Sequence, residues 1–108
     1  MDDVSISEII QNQKALKAKH PEWTTLSPHY GHDTMLWLVE EIGEVVHILK
    51  RNSNERIMDD PAVRSDFVEE LADVMMFFND MLICYGISAD EFAKAYRAKH
   101  ARNMQRVW

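Results

Sequence analysis

The stretch from Asp60 to Gly86 limits most strongly what this chain can fold into. Asp60-Pro61 is typical of an N-cap followed by the first residue of a helix, and glycine is favoured just past a helix end. At about 100° per residue, two apolar stripes run along this helix. The first holds Phe67, Leu71, Val74, Phe78, Met81, Leu82 and Tyr85, and the second holds Val68, Ala72, Met75, Met76 and Ile83. A helix that is apolar on most sides must be buried on most sides. The sequence therefore predicts a long helix to about Tyr85 and a homo-oligomer that covers it, with a two-fold dimer favoured and a tetramer as the alternative.

Capping and helix-breaking residues delimit three further helices. Ser5 begins a capping box for a helix that ends near Lys19, and Ser88 begins another. A third periodic segment covers residues 31–51, and the polar residues 52–59 predict a loop. Because the chain has only three glycines and three prolines, we expect an all-α chain of four helices. We expect one domain over all 108 residues, a helical bundle completed by oligomerisation.

Charge and composition exclude several classes of protein. The net charge of −6 disfavours nucleic acid as a partner, because the phosphate backbone needs lysine and arginine. The single cysteine, Cys84, rules out a disulfide within the chain and fits a reducing compartment. The N-terminal residues do not resemble a signal peptide, and no apolar run approaches the roughly 18 residues of a membrane span. We therefore expect a soluble cytoplasmic protein without membrane partners.

Two acidic motifs lie on two neighbouring predicted helices. The first is Glu40-Glu41-Ile42-Gly43-Glu44, and the second is Glu70-Leu71-Ala72-Asp73. Glu41 and Glu44, like Glu70 and Asp73, are three residues apart and point from one helix face. Like charges at this spacing repel each other. A shared divalent cation explains two such pairs, since Mg²⁺ prefers carboxylate oxygens.

The helix over residues 31–51 places its acidic pair beside apolar residues. Its apolar stripe, predicted to face inward, consists of Met35, Leu38, Val39, Ile42, Val45, Val46 and Leu49. Glu40 and His47 lie on the opposite side, while Glu41 and Glu44 share a boundary strip with Trp37 and Ile48. This placement favours a cleft over open water. Trp37 is a packing residue that can also contact a base.

The last helix carries a mixed stripe, which we predict to face inward, of Phe92, Tyr96, Lys99, Asn103 and Arg106. A lysine, an amide and an arginine beside aromatic rings are suited to grip phosphate oxygens and a base. Earlier in the chain, the connection before the second helix gathers His20, Trp23, His29 and His32. These match no zinc spacing, and they are weaker candidates for lining a substrate pocket.

The ordered set Glu40-Glu41-x-x-Glu44, Glu70-x-x-Asp73 and Lys99-x-x-x-Asn103 resembles the signature of the MazG-like, all-α nucleoside triphosphate pyrophosphohydrolases. The resemblance runs from about Leu36 to Arg106, and the gap of residues 45–69 falls in the family's usual range. No stretch in the first third of the chain matches the family, so the resemblance leaves the preferred base and sugar open.

The resemblance implies a role for each matching residue. The Mg²⁺ ligands would be Glu41, Glu44, Glu70 and Asp73, with Mn²⁺ as an alternative ion. One of the carboxylates Glu40, Glu41 and Glu44 would orient the attacking water, with Glu40 as an outer residue or a base. Lys99 and Asn103 would contact the triphosphate. From their helix positions beside these motifs, and not from the resemblance, we expect Trp37 and Tyr96 near the substrate. The implied reaction cleaves a nucleoside triphosphate between the α and β phosphorus atoms, in the service of clearing unwanted nucleotides.

Two other classes of function remain open from the residues. Glu44-x-x-His47 is half of a di-iron carboxylate motif of ferritin-like bundles, although the second half is missing and His47 lies on the solvent side. The acidic strips also suit a non-catalytic helical module that docks a basic partner. Asn79 and Asp80 are additional polar groups on the long helix without an assigned role.

Overall fold

The computed structural model describes residues 2–107, which form five α-helices and no strand. The helices are α1 (Ile6–Lys19), α2 (Gly31–Arg51), α3 (Asn54–Asp59), α4 (Pro61–Cys84) and α5 (Ala89–Gln105), with a 3₁₀ turn at Pro28–Tyr30. The predicted all-α class is confirmed. Among these residues no single helix is both long and apolar enough to cross a membrane; α4 and α5 pass such a test only as a pair, and a 109° bend separates them.

The helix ends follow the predicted capping chemistry. The hydroxyl oxygens of Ser5 and Ser88 each accept a hydrogen bond from a backbone N–H three residues on, both at 3.1 Å. The Asp60 carboxylate accepts one from Ala62 N–H at 3.0 Å. At the end of α4, Gly86 has φ of 65°, and its N–H and that of Ile87 donate to the carbonyl oxygens of Ile83 and Leu82. This is a Schellman motif, which satisfies carbonyl groups that the helix end leaves unpaired.

The prediction of a loop over residues 52–59 is wrong, because α3 occupies most of it. Ser53 caps this short helix by accepting from the Arg56 N–H at 3.2 Å. Ile57 is only 7% exposed and belongs to the core, and α3 packs against α4. A six-residue helix is too short to be stable alone. It forms because burial of one isoleucine adds to a good N-cap.

Helices α2 and α4 pack closely along their length and run antiparallel. The start of α2 meets the end of α4, where a Cβ at Gly31 would collide with the ring of Tyr85. Close by, the buried Cys84 thiol donates to the Thr34 hydroxyl at 3.4 Å, which in turn donates to the Tyr30 carbonyl at 3.0 Å. Cys84 is 1% exposed and belongs to the core.

Helix α1 packs on α4, whereas α5 packs mainly on α1. Phe92 at the start of α5 is half-buried against Phe78, with ring centroids 5.4 Å apart. Beyond Phe92, the prediction that the mixed stripe of α5 faces inward is wrong within one chain. Tyr96 is 63% exposed, and Lys99, Asn103 and Arg106 are also exposed. The 109° bend after α4 turns α5 away from α4, and among the described residues the rest of this stripe stays exposed.

The chain buries little of its apolar surface. The predicted inward stripe of α2 is also mostly exposed within the chain, since only Leu38 is buried, at 8%. Residues Met35, Val39, Ile42, Val46 and Leu49 of that stripe, and Val68, Leu71, Met75 and Met76 of α4, are each more than two-fifths exposed. The accessible surface is 8274 Å², whereas a folded monomer of this mass has about 6,200 Å². The radius of gyration is 16.4 Å, against about 13 Å for a compact domain of this length.

Candidate metal centre and adjoining pocket

Three of the predicted metal ligands come together between α2 and α4. Glu41, Glu70 and Asp73 each offer one carboxylate oxygen, and these oxygens lie within 4.8 Å of one another. Glu70 and Asp73 project from one face of α4 because they are three residues apart. The antiparallel packing of α2 sets Glu41 opposite them at mid-helix. The predicted convergence of the two acidic motifs is therefore present in the fold.

The carboxylates of this cluster repel one another. Partial burial raises the pKa of Glu41 above its ordinary value, and the nearby charges of Asp73, Glu70, Glu44 and Glu40 raise it further. Desolvation likewise raises the pKa of Glu70, with Asp73 and Glu44 as the next causes. Across residues 2–107, the three ion pairs lie at His20–Glu22, Arg56–Asp60 and Asp90–Lys94, away from this cluster. Among the described residues, none of these ion pairs therefore offsets the charge of the cluster.

The other two acidic candidates differ in how closely they belong to the cluster. Glu44 is exposed and contributes no oxygen to the group of three, yet its charge raises the pKa of both Glu41 and Glu70. Glu40 is exposed and acts on Glu41 only, as the last of its causes. Glu44 is thus the nearer of the two to the centre of negative charge.

The donor set fits a hard divalent cation. All three donors are carboxylate oxygens, the type that Mg²⁺, Mn²⁺ and Ca²⁺ prefer. With Mg–O distances of about 2.1 Å, opposite ligands lie about 4.2 Å apart, so small side-chain adjustments let the three oxygens share one ion. The raised pKa values show that the site favours added positive charge. Across the described residues, His47 is exposed and absent from this group, which disfavours the di-iron motif.

A cavity of about 510 Å³ adjoins the acidic cluster. Asp73 belongs to both, since it also lines the cavity. The walls come from α1, from the connection before α2, and from α2 and α4; the apolar ones are Leu16, Trp23, Leu26, Trp37, Met76 and Phe77. The volume falls in the range of about 300–1,000 Å³ that is typical of ligand sites, as does an apolar lining with a few polar groups.

One polar group of the cavity wall, away from the cluster, is built around Asp80. Its Oδ1 accepts a hydrogen bond from Gln13 Nε2 at 3.0 Å. Burial raises the pKa of the Asp80 carboxyl, while Gln13 and the charge of Lys17 oppose that rise. The Lys17 ammonium is buried without a hydrogen-bond partner. All three side chains line the cavity.

Of the remaining predicted substrate residues, the structure places Trp37 at this site and the three residues of α5 away from it. Trp37 lines the cavity and is 48% exposed. Trp23 lines it as well, and its ring stacks on His20 at 4.0 Å between centroids. Tyr96 and Asn103 are exposed on α5. Lys99 lies there too, beside an open depression of about 470 Å³ that it lines with Arg102, Gln105 and Arg106. Within one chain these α5 residues do not join the acidic cluster.

The sequence analysis missed the roles of Gln13 and Lys17 as cavity residues. Both lie on α1, where a polar residue on an amphipathic helix is usually solvated. The one available signal was Asp80, a carboxylate on a helix that is apolar on most sides. A buried carboxylate needs a partner from another element, and no spacing rule relates it to Gln13.

Comparison with known proteins agrees with this geometry. The sequence model of the dATP/dGTP pyrophosphohydrolase family matches residues 16–108, a range that includes the whole acidic cluster. No curated protein and no solved structure matches the chain. Because the family match covers most of the chain, this protein belongs to the dATP/dGTP pyrophosphohydrolase family, among the MazG-like nucleoside triphosphate pyrophosphohydrolases, and is a hydrolase that acts on acid anhydrides.

Proposed function

We propose that this protein hydrolyses nucleoside triphosphates in a Mg²⁺-dependent reaction, between the α and β phosphorus atoms. One water is consumed, and the products are a nucleoside monophosphate and pyrophosphate. The observation that carries the proposal is the convergence of Glu41, Glu70 and Asp73 beside a cavity with aromatic walls. We infer that the enzyme removes unwanted nucleotides from the cellular pool.

In this proposal the acidic centre binds the metal ion and the phosphates, and the cavity binds the nucleoside. Glu41, Glu70 and Asp73 would hold Mg²⁺, with Mn²⁺ as a substitute, and the ion would neutralise phosphate charge and polarise the phosphoryl oxygens. Without a cation, the cluster repels a triphosphate. The cavity wall excludes water from the nucleoside and orients the phosphate chain toward the cluster.

Glu44 is the carboxylate that we place at the attacking water. Its charge reaches both α2 and α4 members of the cluster, while its oxygens lie outside the group of three. It can therefore hold the water and accept its proton as the bond to phosphorus forms. Glu40 is assigned an outer role, because its influence extends only to Glu41 among these residues.

We propose that the active protein is a homo-oligomer, a two-fold dimer being the simplest case. The large exposed apolar area of α2 and α4 supports this. Assembly would also give Lys99 and Asn103 a function, since both are exposed on α5 and are available to the phosphates at the site of a neighbouring protomer. A lysine there offsets negative charge that develops on the leaving pyrophosphate.

A panel of nucleoside triphosphates, scored for pyrophosphate against orthophosphate, tests the function. We expect pyrophosphate release with Mg²⁺ or Mn²⁺ and none after treatment with EDTA. Glu44→Gln should lower kcat by about 100-fold or more, because it removes a general base. Glu40→Gln, the matched control one turn away, should lower kcat by less than about 10-fold. Release of orthophosphate, or full activity in EDTA, would contradict the proposal.

A further inference from the structure

Gln13, Lys17 and Asp80 form a polar group in the cavity wall, set away from the acidic cluster along α4. We propose that this group recognises the base of the nucleotide and favours guanine over adenine. The inference rests on the function proposed above and adds to it the residues that select the base. Phosphate chemistry does not account for the buried polar contacts around Asp80.

The Lys17 ammonium is the clearest sign that a ligand belongs here. It is buried and makes no hydrogen bond in the described structure. Burial of an ammonium without a hydrogen-bond acceptor is unfavourable, so a natural site supplies one. Asp80 and Glu22 are both near enough for the charge of Lys17 to lower their pKa, yet neither accepts a hydrogen bond from the ammonium. A ligand atom that accepts from Lys17 beside one that donates to Asp80 would satisfy both groups.

The position of this group matches the length of a nucleoside. Asp73 and Asp80 are seven residues apart on α4, which is about 10.5 Å along the helix axis. With the phosphates at Asp73, the far edge of the base reaches the level of Asp80. Trp37 and Trp23 line the same cavity and are each 48% exposed. Their rings offer stacking surfaces, which contribute about 1–3 kcal/mol per base in single-stranded nucleic acid sites.

The pattern of donors and acceptors selects guanine. Guanine presents two neighbouring donors, N1–H and the 2-amino group, which match a carboxylate that accepts through two oxygens. Its O6 atom lies next to them and is an acceptor, which suits an ammonium donor. Adenine places a donor at the 6-position, where it would face Lys17, and lacks the N1–H donor. Gln13 fixes one oxygen of Asp80 and so sets the orientation of the carboxylate.

Steady-state kinetics with dGTP, dATP and dITP test the assignment. We expect the wild type to prefer dGTP, and Asp80→Asn to lower kcat/KM for dGTP by about 10-fold or more, in line with the discrimination of one bidentate contact. The value for dATP should change by less than about threefold. The loss for dITP should be intermediate, because inosine keeps N1–H and O6 but lacks the 2-amino group. Lys17→Met should also reduce dGTP turnover selectively.

Matched controls separate base recognition from damage to the fold. Asp59→Asn and Lys19→Met change exposed residues of the same types, and they should leave all three substrates unaffected. Equal losses for dGTP and dATP in Asp80→Asn, or a wild type that prefers dATP, would overturn the inference while pyrophosphate release still supports the function. Should the wild type release no pyrophosphate from any nucleotide, the proposed function fails. In that case, thermal stabilisation by dGMP but not dAMP, lost in Asp80→Asn, supports the base site, and its absence overturns it.

Discussion

At the scale of single residues, the acidic centre shows function opposing stability. Glu41 and Glu70 are held where burial and neighbouring carboxylates raise their pKa. Each group is therefore easier to protonate in the folded chain than in the unfolded chain, so ionisation weakens the fold. A bound cation reverses that effect. Sites that store such repulsion are typical of functional positions.

Replacing Glu41 should stabilise the metal-free protein, and the gain should depend on pH. Since the folded pKa of Glu41 lies above its ordinary 4.5, wild-type stability from this group is complete below that value and is lost as pH rises through the folded pKa. Glu41→Gln removes the loss. The Tm difference between variant and wild type should be near zero below pH 4.5 and grow to a plateau of a few degrees near neutral pH.

The same melts with Mg²⁺ added provide the second readout. Wild-type protein should gain stability from the ion, as binding to the folded state requires, and Glu41→Gln should gain much less. Glu55→Gln, which neutralises an exposed glutamate on α3, is the matched control and should respond like the wild type. A variant less stable than the wild type at neutral pH without metal would show that the carboxylates do not repel one another as inferred.

At the scale of elements, the helix ends were predictable where a single capping residue marks them in the sequence. Ser5, Asp60, Ser88 and Gly86 mark helix ends in the sequence and do so in the fold. Three-residue spacing likewise predicts that Glu70 and Asp73 share a face of α4. Their approach to Glu41 was expected from a shared cation and from the family resemblance, not from spacing. Helix α3 was not, because it depends on the burial of Ile57 against α4, which only the tertiary structure provides.

Because α2 approaches α4 closely at Gly31, the effect of Gly31→Ala on stability should depend on whether the Tyr85 ring is present. Alanine is the better helix former by up to about 1 kcal/mol, but its Cβ at position 31 would collide with the Tyr85 ring. We expect Gly31→Ala to destabilise the wild type by about 1 kcal/mol, as overpacked sites do. In a Tyr85→Ala background the same change should be neutral or stabilising. Urea denaturation of the four proteins measures this coupling.

Gly43 supplies the control for that cycle. It lies within α2, and a Cβ there would meet no atom within 4 Å. Gly43→Ala should stabilise the protein by about 0.5–1 kcal/mol in both backgrounds, from helix propensity alone. If Gly31→Ala has the same effect with and without the Tyr85 ring, the contact does not limit the packing of these helices.

At the scale of the whole molecule, the sequence could predict the acidic site better than the base site. Glu70 and Asp73 share a helix face through their three-residue spacing, with Glu41 on the adjacent α2, whereas Gln13 and Asp80 are separated by 67 positions and meet only through the packing of α1 on α4. The placement of α5 was mispredicted for the same kind of reason. Its sequence has an inward-facing pattern, but the chain bends away before the stripe can be covered. The apolar stripes of α2 and α4 are likewise left exposed within one chain.

Assembly is the last property that these exposed stripes predict. The accessible surface exceeds that of an ordinary monomer by about 2,000 Å² per chain, more than the roughly 800 Å² that each partner buries in a standard interface. Sedimentation should therefore give a mass of at least two chains at micromolar concentration. Val68→Glu, at a residue 53% exposed on α4, should dissociate the assembly by burying an unpaired charge. Met58→Glu changes a 65% exposed residue on α3, outside the stripes, and should leave the mass unchanged. If the wild type sediments as one chain and still releases pyrophosphate at the full rate, each protomer must be complete, and the α5 residues must reach the phosphates within their own chain or not at all.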